Sequence, residues 1–154
     1  MSARSPTGLP RAGAEAAEAF LARFRQGFRE LRHDSLHRLD ELYAEDVVFE
    51  DPLHRISGRT ALREYFARMY AGVEEIDFDF GDCLVGPGQA MLTWTMHLRH
   101  RRLRPGEALA LPGATHLRFA AQAYYHRDYF DAGALLYERL PLLGGVVRAV
   151  RRRV

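Results

Sequence analysis

The sequence predicts an α+β domain: three N-terminal helices packed on a strongly curved, mainly antiparallel sheet, with a short helix at the C-terminus. Three observations carry this expectation. Apolar residues recur every three to four positions through the first 70 residues, the spacing of amphipathic helices. From residue 74 the period changes to two, the spacing of half-buried strands. Helices come first and strands follow in a meander with Gly- and Pro-containing turns, an order that builds segregated layers.

Residues 14–32 read as the first helix, with Ala16, Ala17, Phe20, Leu21, Phe24, Phe28 and Leu31 on one face. Ser35 is placed to cap a short second helix carrying Leu36, Leu39, Leu42 and Tyr43 on one side. A strand at 46–51 stops at Pro52, which has no N–H to give a sheet. Gly58-Arg59-Thr60 opens a third helix with the face Leu62, Tyr65, Phe66, Met69 and Tyr70, and Gly72 is expected as its C-terminal cap. Ile76, Phe78 and Phe80 then alternate with Asp77 and Asp79. Gly86-Pro87-Gly88 turns the chain into a long strand at 90–102, and Arg104-Pro105-Gly106-Glu107 fits a type II turn. Strands follow at 108–120 and 123–131, with a bulge or bend expected at Pro112-Gly113. Helical pieces flank Pro141 and Gly144-Gly145 in the tail.

With 154 residues, 47% hydrophobic and 27% charged, the chain reads as one globular domain at 14–140. Residues 1–13 have no apolar signal-peptide centre and read as a disordered lead-in. Cys83 is the only cysteine, which leaves no internal disulfide and makes a cytoplasmic setting the default. A net charge of +2 does not call for a polyanionic partner. The basic run His97, Arg99, His100, Arg101, Arg102 and Arg104 lacks interleaved aromatics for base stacking, so it reads as a solvated sheet edge and no nucleic-acid partner is expected. In the tail, 141–154, Val146, Val147, Val150 and Val154 oppose Arg148, Arg151 and Arg152. That pattern suits weak contact with an anionic membrane surface, or packing over the domain or a partner subunit. No cofactor is expected, and no spacing encodes a dedicated metal site, although His54, Asp51 and Asp128 stand as residues that a fold can gather around one.

Two acid-bearing motifs end predicted strands: Val47-Val48-Phe49-Glu50-Asp51-Pro52 and Tyr125-His126-Arg127-Asp128-Tyr129-Phe130-Asp131. Each sets a carboxylate among β-branched and aromatic residues, where an ionised group is costly without a partner or water. Strand periodicity puts His126, Asp128 and Phe130 on one face. His54 follows Asp51 by three residues, and a histidine beside a carboxylate can relay a proton near neutral pH. For Asp51 the competing reading is a turn residue before proline; for Asp128 it is a buried salt bridge; Asp131 reads as a helix cap. Phe20, Phe24, Trp94, Met96, Thr115, Leu117 and Phe130 compose either a mainly apolar ligand pocket or plain core.

The stretch from Leu42 to Pro52, followed by Gly58-Arg59-Thr60-Ala61-Leu62-Arg63-Glu64-Tyr65-Phe66, resembles the front half of ketosteroid isomerases and SnoaL-like proteins. Arg127-Asp128-Tyr129-Phe130-Asp131 resembles the final strand of limonene-epoxide hydrolases. The resemblance spans roughly residues 14–140 and implies the cone-shaped fold of nuclear transport factor 2, together with a homodimer formed through the outer sheet face. It implies Asp51 as a general base and Asp128 as a water-activating acid. The isomerases' oxyanion donors fall on Phe24 and on or near Thr115, and the hydrolases' remaining polar residues on Trp94 and Met96, so neither mechanism is implied whole. Two readings therefore stand. One is an isomerase, cyclase or hydrolase acting on a small apolar metabolite, with Asp51 as base and His54, His126 or Asp128 assisting. The other is a non-catalytic ligand-binding or accessory protein.

Overall fold

The computed structural model describes residues 11–103, 106–136 and 149–152. Helix α1 (Arg11–Glu30) begins three residues before the expected start and turns Phe20, Leu21, Phe24 and Phe28 inward. The second helix is a composite: a 3₁₀ turn, His33–Arg38, runs into a four-residue helix α2 (Leu39–Leu42). Ser35 does not stand at its N-cap. Arg32 does, and the Ser35 hydroxyl reaches back to accept the Arg32 N–H at 2.9 Å. Tyr43, expected on that helix, instead begins strand β1 (Tyr43–Glu50).

After β2 (Arg55–Ser57) and α3 (Arg59–Tyr70) come four long strands: β3 (Val73–Gly86), β4 (Gln89–His100), β5 (Leu109–Phe119) and β6 (Ala123–Phe130). A short helix α4 (Ala132–Leu136) follows, started by Asp131, whose Oδ1 accepts the Gly133 N–H at 2.9 Å. The six strands form one sheet in the order β2-β1-β6-β5-β4-β3, antiparallel except for the parallel pair β1–β6. The sheet curves around α1 and α3, and the aromatic faces of both helices fill the concave side. Phe28 meets Phe66 of α3 and Phe78 of β3 there, with ring centroids 6.0 and 5.9 Å apart.

Several local expectations change once packing is visible. Gly72 is not a left-handed helix cap. The helix ends at Tyr70 with Ala71 as its cap, and a Cβ at residue 72 would collide with the His100 ring. Pro112-Gly113 makes no bulge, because the β4–β5 register runs unbroken through Thr95↔Pro112 and Trp94↔Gly113. Strand β6 ends at Phe130 opposite Gly113, so Pro112 lies where β5 has lost that neighbour and a missing N–H costs little. Gly113 is small because the Trp94 indole lies directly over it. The part of the basic run within β4, His97 to His100, is not on a sheet edge either: β4 is internal, and its basic side chains meet acids across the sheet, His97 with Asp79 at 2.8 Å and Arg99 with Glu75 at 3.6 Å. Gly106 takes φ 83°, in the left-handed region that favours glycine, while residues 104 and 105 of the expected turn lie outside the described residues. Most of the basic tail lies outside the described residues. Among them no helix is long and apolar enough to cross a membrane.

Candidate functional site

The space between α1, α3 and the concave sheet is not filled. A cavity opens there with about 700 Å³ of free volume, counted through its mouth, and its wall is almost wholly aromatic or aliphatic. Phe24 and Phe28 come from α1, Tyr65, Phe66 and Tyr70 from α3, Phe78 and Phe80 from β3, Trp94 and Met96 from β4. Asp51 just after β1, Thr115 on β5, and His126 and Asp128 on β6 bring the polar groups.

The polar groups form two separate arrangements. On β6, Asp128 Oδ1 accepts from the Thr115 hydroxyl at 2.5 Å and meets His126 Nε2 at 2.7 Å. Behind Thr115, the Trp94 indole N–H donates to Thr115 Oγ1 at 2.8 Å. Behind His126, the Tyr43 hydroxyl lies 2.7 Å from Nδ1. Tyr43 is fully buried, and its phenol pKa is raised far above the ordinary value by that burial and then by the Asp128 charge. It therefore keeps its proton, which it can donate to Nδ1. In the tautomer where Nδ1 accepts that proton, the ring N–H lies on Nε2 and points at Asp128. Two chains of donors, Trp94–Thr115 and Tyr43–His126, thus converge on one oxygen of Asp128. Its other oxygen, Oδ2, holds no hydrogen bond among the described residues, and the side chain keeps 19% of its surface exposed.

Asp51 is held differently. Its Oδ1 accepts the backbone N–H groups of Leu53 at 2.8 Å and His54 at 2.7 Å, closing the turn around Pro52. His54 Nδ1 lies 3.0 Å from the same oxygen, and the Tyr65 hydroxyl donates to Oδ2. Burial, then the hydrogen bond to Asp51, drives the Tyr65 pKa well above its ordinary value, so this donor is permanent. Both oxygens of Asp51 are engaged, and only 5% of its side chain is exposed.

Of the sequence-derived candidates, Phe24, Trp94, Met96, Thr115, Phe130, Asp51, His126 and Asp128 line the cavity. Phe20 and Leu117 do not. They are buried in the core away from the cavity lining, Phe20 stacked on Phe119 at 4.5 Å and Leu117 fully buried. His54 stands outside the wall with half its side chain in solvent. His54, Asp51 and Asp128 do not gather into a metal-holding group, and no such cluster occurs among the described residues. Sequence reasoning missed Tyr43 and Tyr65, which it counted as apolar helix faces. The available signal was chemical: a buried tyrosine must place its hydroxyl on a partner.

A curved sheet closed by helices, with an open-mouthed cavity carrying acids from two neighbouring strands, is the cone-shaped fold of the nuclear transport factor 2 superfamily. Within that class the chain belongs to the SnoaL-like domain family, whose family model matches residues 32–124. Solved structures agree on the fold. A protein described as a SnoaL-like polyketide cyclase from Jannaschia sp. CCS1 superposes with a TM-score of 0.73 at 11% identity, covering 88% of this chain and 99% of that one. An LEH-like epoxide hydrolase from M. tuberculosis gives 0.64 at 17% identity, covering 88% and 97%. A protein of ketosteroid isomerase-like fold from Catenulispora acidiphila DSM 44928, in complex with trimethylamine, gives 0.65 at 16%, covering 78% and 91%. At these identities the likeness shows the fold alone. A search of curated protein sequences returns no match.

Proposed function

We propose that this chain is a proton-transfer enzyme of the isomerase or cyclase kind, in which Asp128 accepts a proton from a small, largely apolar metabolite. The observation that carries this reading is the asymmetry of Asp128: one oxygen is fixed by two converging donors, while the other is free at the cavity wall. A general base must reach the proton it takes at hydrogen-bond distance, in a fixed orientation. Asp128 meets that requirement better than Asp51, whose two oxygens are already occupied. His126 and Thr115 act as positioning residues. When Asp128 gains a proton, the His126 Nε2–H and the Thr115 hydroxyl continue to hold Oδ1, so the new proton resides on Oδ2, ready to be returned at another carbon.

A specific observation also favours the binding reading. Among the described lining residues the Tyr65, Thr115 and Trp94 donors are all spent inside the protein, which leaves the buried, unpartnered Tyr70 hydroxyl as the one side-chain hydroxyl of the wall without an acceptor. Deuterium wash-in separates the two. In D2O, the protein is expected to exchange the acidic C–H of at least one member of a panel of apolar cyclic ketones and enones, with Asp128→Asn reducing the rate by about 10²–10⁴-fold. Undiminished exchange by Asp128→Asn removes that residue from the mechanism. Exchange of no probe, with a small molecule retained in native mass spectrometry, establishes the binder.

A further inference from the structure

In much of the fold arginines meet carboxylates: Arg59 and Arg63 share Asp40, Arg38 pairs with Glu30, and Arg55 and Arg127 flank Glu50. Arg68, Arg101 and Arg102 have no carboxylate within salt-bridge distance among the described residues, yet together with His100, Ala71 and Gly72 they line one surface pocket. The pocket holds about 510 Å³ of free volume, counted through its mouth, and no acid stands on its described wall. It lies apart from the cavity. On α3 and the turn that follows, Tyr65, Phe66, Met69 and Tyr70 face the cavity, whereas Arg68, Ala71 and Gly72 line the basic pocket.

The backbone beneath these charges is fixed. The Arg101 N–H donates to the Gly72 carbonyl at 2.9 Å, the Leu103 N–H to the His100 carbonyl at 3.1 Å, and the Arg102 N–H to His100 Nδ1 at 3.1 Å. Arg101 also donates one guanidinium N–H to the Ala71 carbonyl at 3.0 Å. That bond compensates the negative end of α3 and leaves the other N–H groups of a five-donor side chain available. Guanidiniums gathered without an acid repel one another, so the arrangement gains when an anion enters. The planar fork of each guanidinium matches phosphate oxygens. A phosphate monoester offers three terminal oxygens and nearly two negative charges. Arginines from α3 on one side and from the turn after β4 on the other can share those oxygens, whereas a carboxylate offers two oxygens and one charge. We propose that this pocket binds a phosphate monoester group, a chemistry that a soluble metabolite and a lipid headgroup can both present. The site is additional to the cavity and independent of Asp128.

Isothermal titration with glycerol 3-phosphate at fixed ionic strength tests the site. The ester is expected to bind saturably and at least about tenfold tighter than succinate, whose two charges sit on separated carboxylates. Arg68→Gln and Arg102→Gln should each weaken that binding by about tenfold or more, as the loss of a charge-assisted hydrogen bond does. Both side chains are exposed and hold no partner among the described residues, so both variants should keep the wild-type urea midpoint. Arg118→Gln, in β5 and outside the pocket, should bind as the wild type does. Sedimentation with phosphatidylcholine vesicles distinguishes the source. Retention by phosphatidic acid over phosphatidylserine, abolished by Arg68→Gln, supports the site with a lipid headgroup as its ligand; binding of the soluble ester without such retention supports it with a metabolite. No saturable binding of either form, succinate binding as tightly as the ester, unchanged binding in Arg68→Gln or in Arg102→Gln, or an equal loss in Arg118→Gln overturns the proposal.

Discussion

Asp51 and Asp128 sit at matching places on neighbouring strands. Parallel pairing sets Phe49 beside His126 and Glu50 beside Arg127, so the two acids follow at almost the same level of the wall. Their surroundings differ nonetheless. Asp51 spends both oxygens on its own turn, on His54 and on Tyr65. Asp128 spends one oxygen on Thr115 and His126 and keeps the other. The first arrangement fixes a loop; the second prepares a group to accept something. Two aspartates with the same address can thus do different work, and the number of donors around each one decides which.

The largest expected effect sharpens that contrast. In the deuterium-exchange assay Asp128→Asn should cost about 10²–10⁴-fold, whereas Asp51→Asn should cost less than about tenfold. Equal losses would show that Asp51 also handles the proton. Alkaline pH probes the tyrosines behind each acid, Tyr43 for Asp128 and Tyr65 for Asp51. Both fold with pKa values raised above the ordinary 10.0. Their contribution is complete below pH 10 and declines above it, because the unfolded chain then releases phenolic protons that the folded one retains. Stability measured by urea unfolding should fall by about 1.4 kcal/mol per pH unit for each such tyrosine, and Tyr43→Phe or Tyr65→Phe should each flatten the decline. An unchanged slope in Tyr43→Phe would contradict its burial as a neutral donor. Third, Asp51→Asn should destabilise by about 1–3 kcal/mol in the same urea titrations, since four donors lose a charged acceptor. The smallest effect is expected of Tyr65→Phe, about 1 kcal/mol, with exchange by Asp128 unaltered.

Much of the fold was legible because it rests on periodicity. Phe20, Phe24 and Phe28 mark α1, and the alternation of Ile76, Phe78 and Phe80 marks β3. Alternation states which face a side chain takes but not how deep along the cavity it lies. Periodicity therefore groups Phe20 and Leu117 with Phe24 and Thr115, though only the second pair lines the cavity and the first is buried in the core. Gly72 and Gly113 misled for a related reason. Each is small for the sake of a ring from a distant strand, His100 or Trp94, and local turn chemistry carries no trace of that neighbour. The site residues Asp51, His126 and Asp128 stood out as polar groups inside apolar strands. Their opposite hydrogen-bond accounts did not, because Tyr43, Tyr65 and Thr115 reach them from elements far away in sequence.

Strand β6 lies between β1 and β5, so the last strand among the described residues is also one of the innermost in the sheet. Until it docks, the β1–β2 hairpin and the β3–β4–β5 meander share no ladder, and each shows an unpaired inner edge. On the ribosome this means that the cavity has no finished wall until residues beyond 130 have emerged. Closure of the sheet and delivery of His126 and Asp128 are one event, joining segments about 80 residues apart, the kind of distant pairing that slows folding. A nascent chain therefore has no partly assembled site to misuse: reactivity and structural completion arrive together.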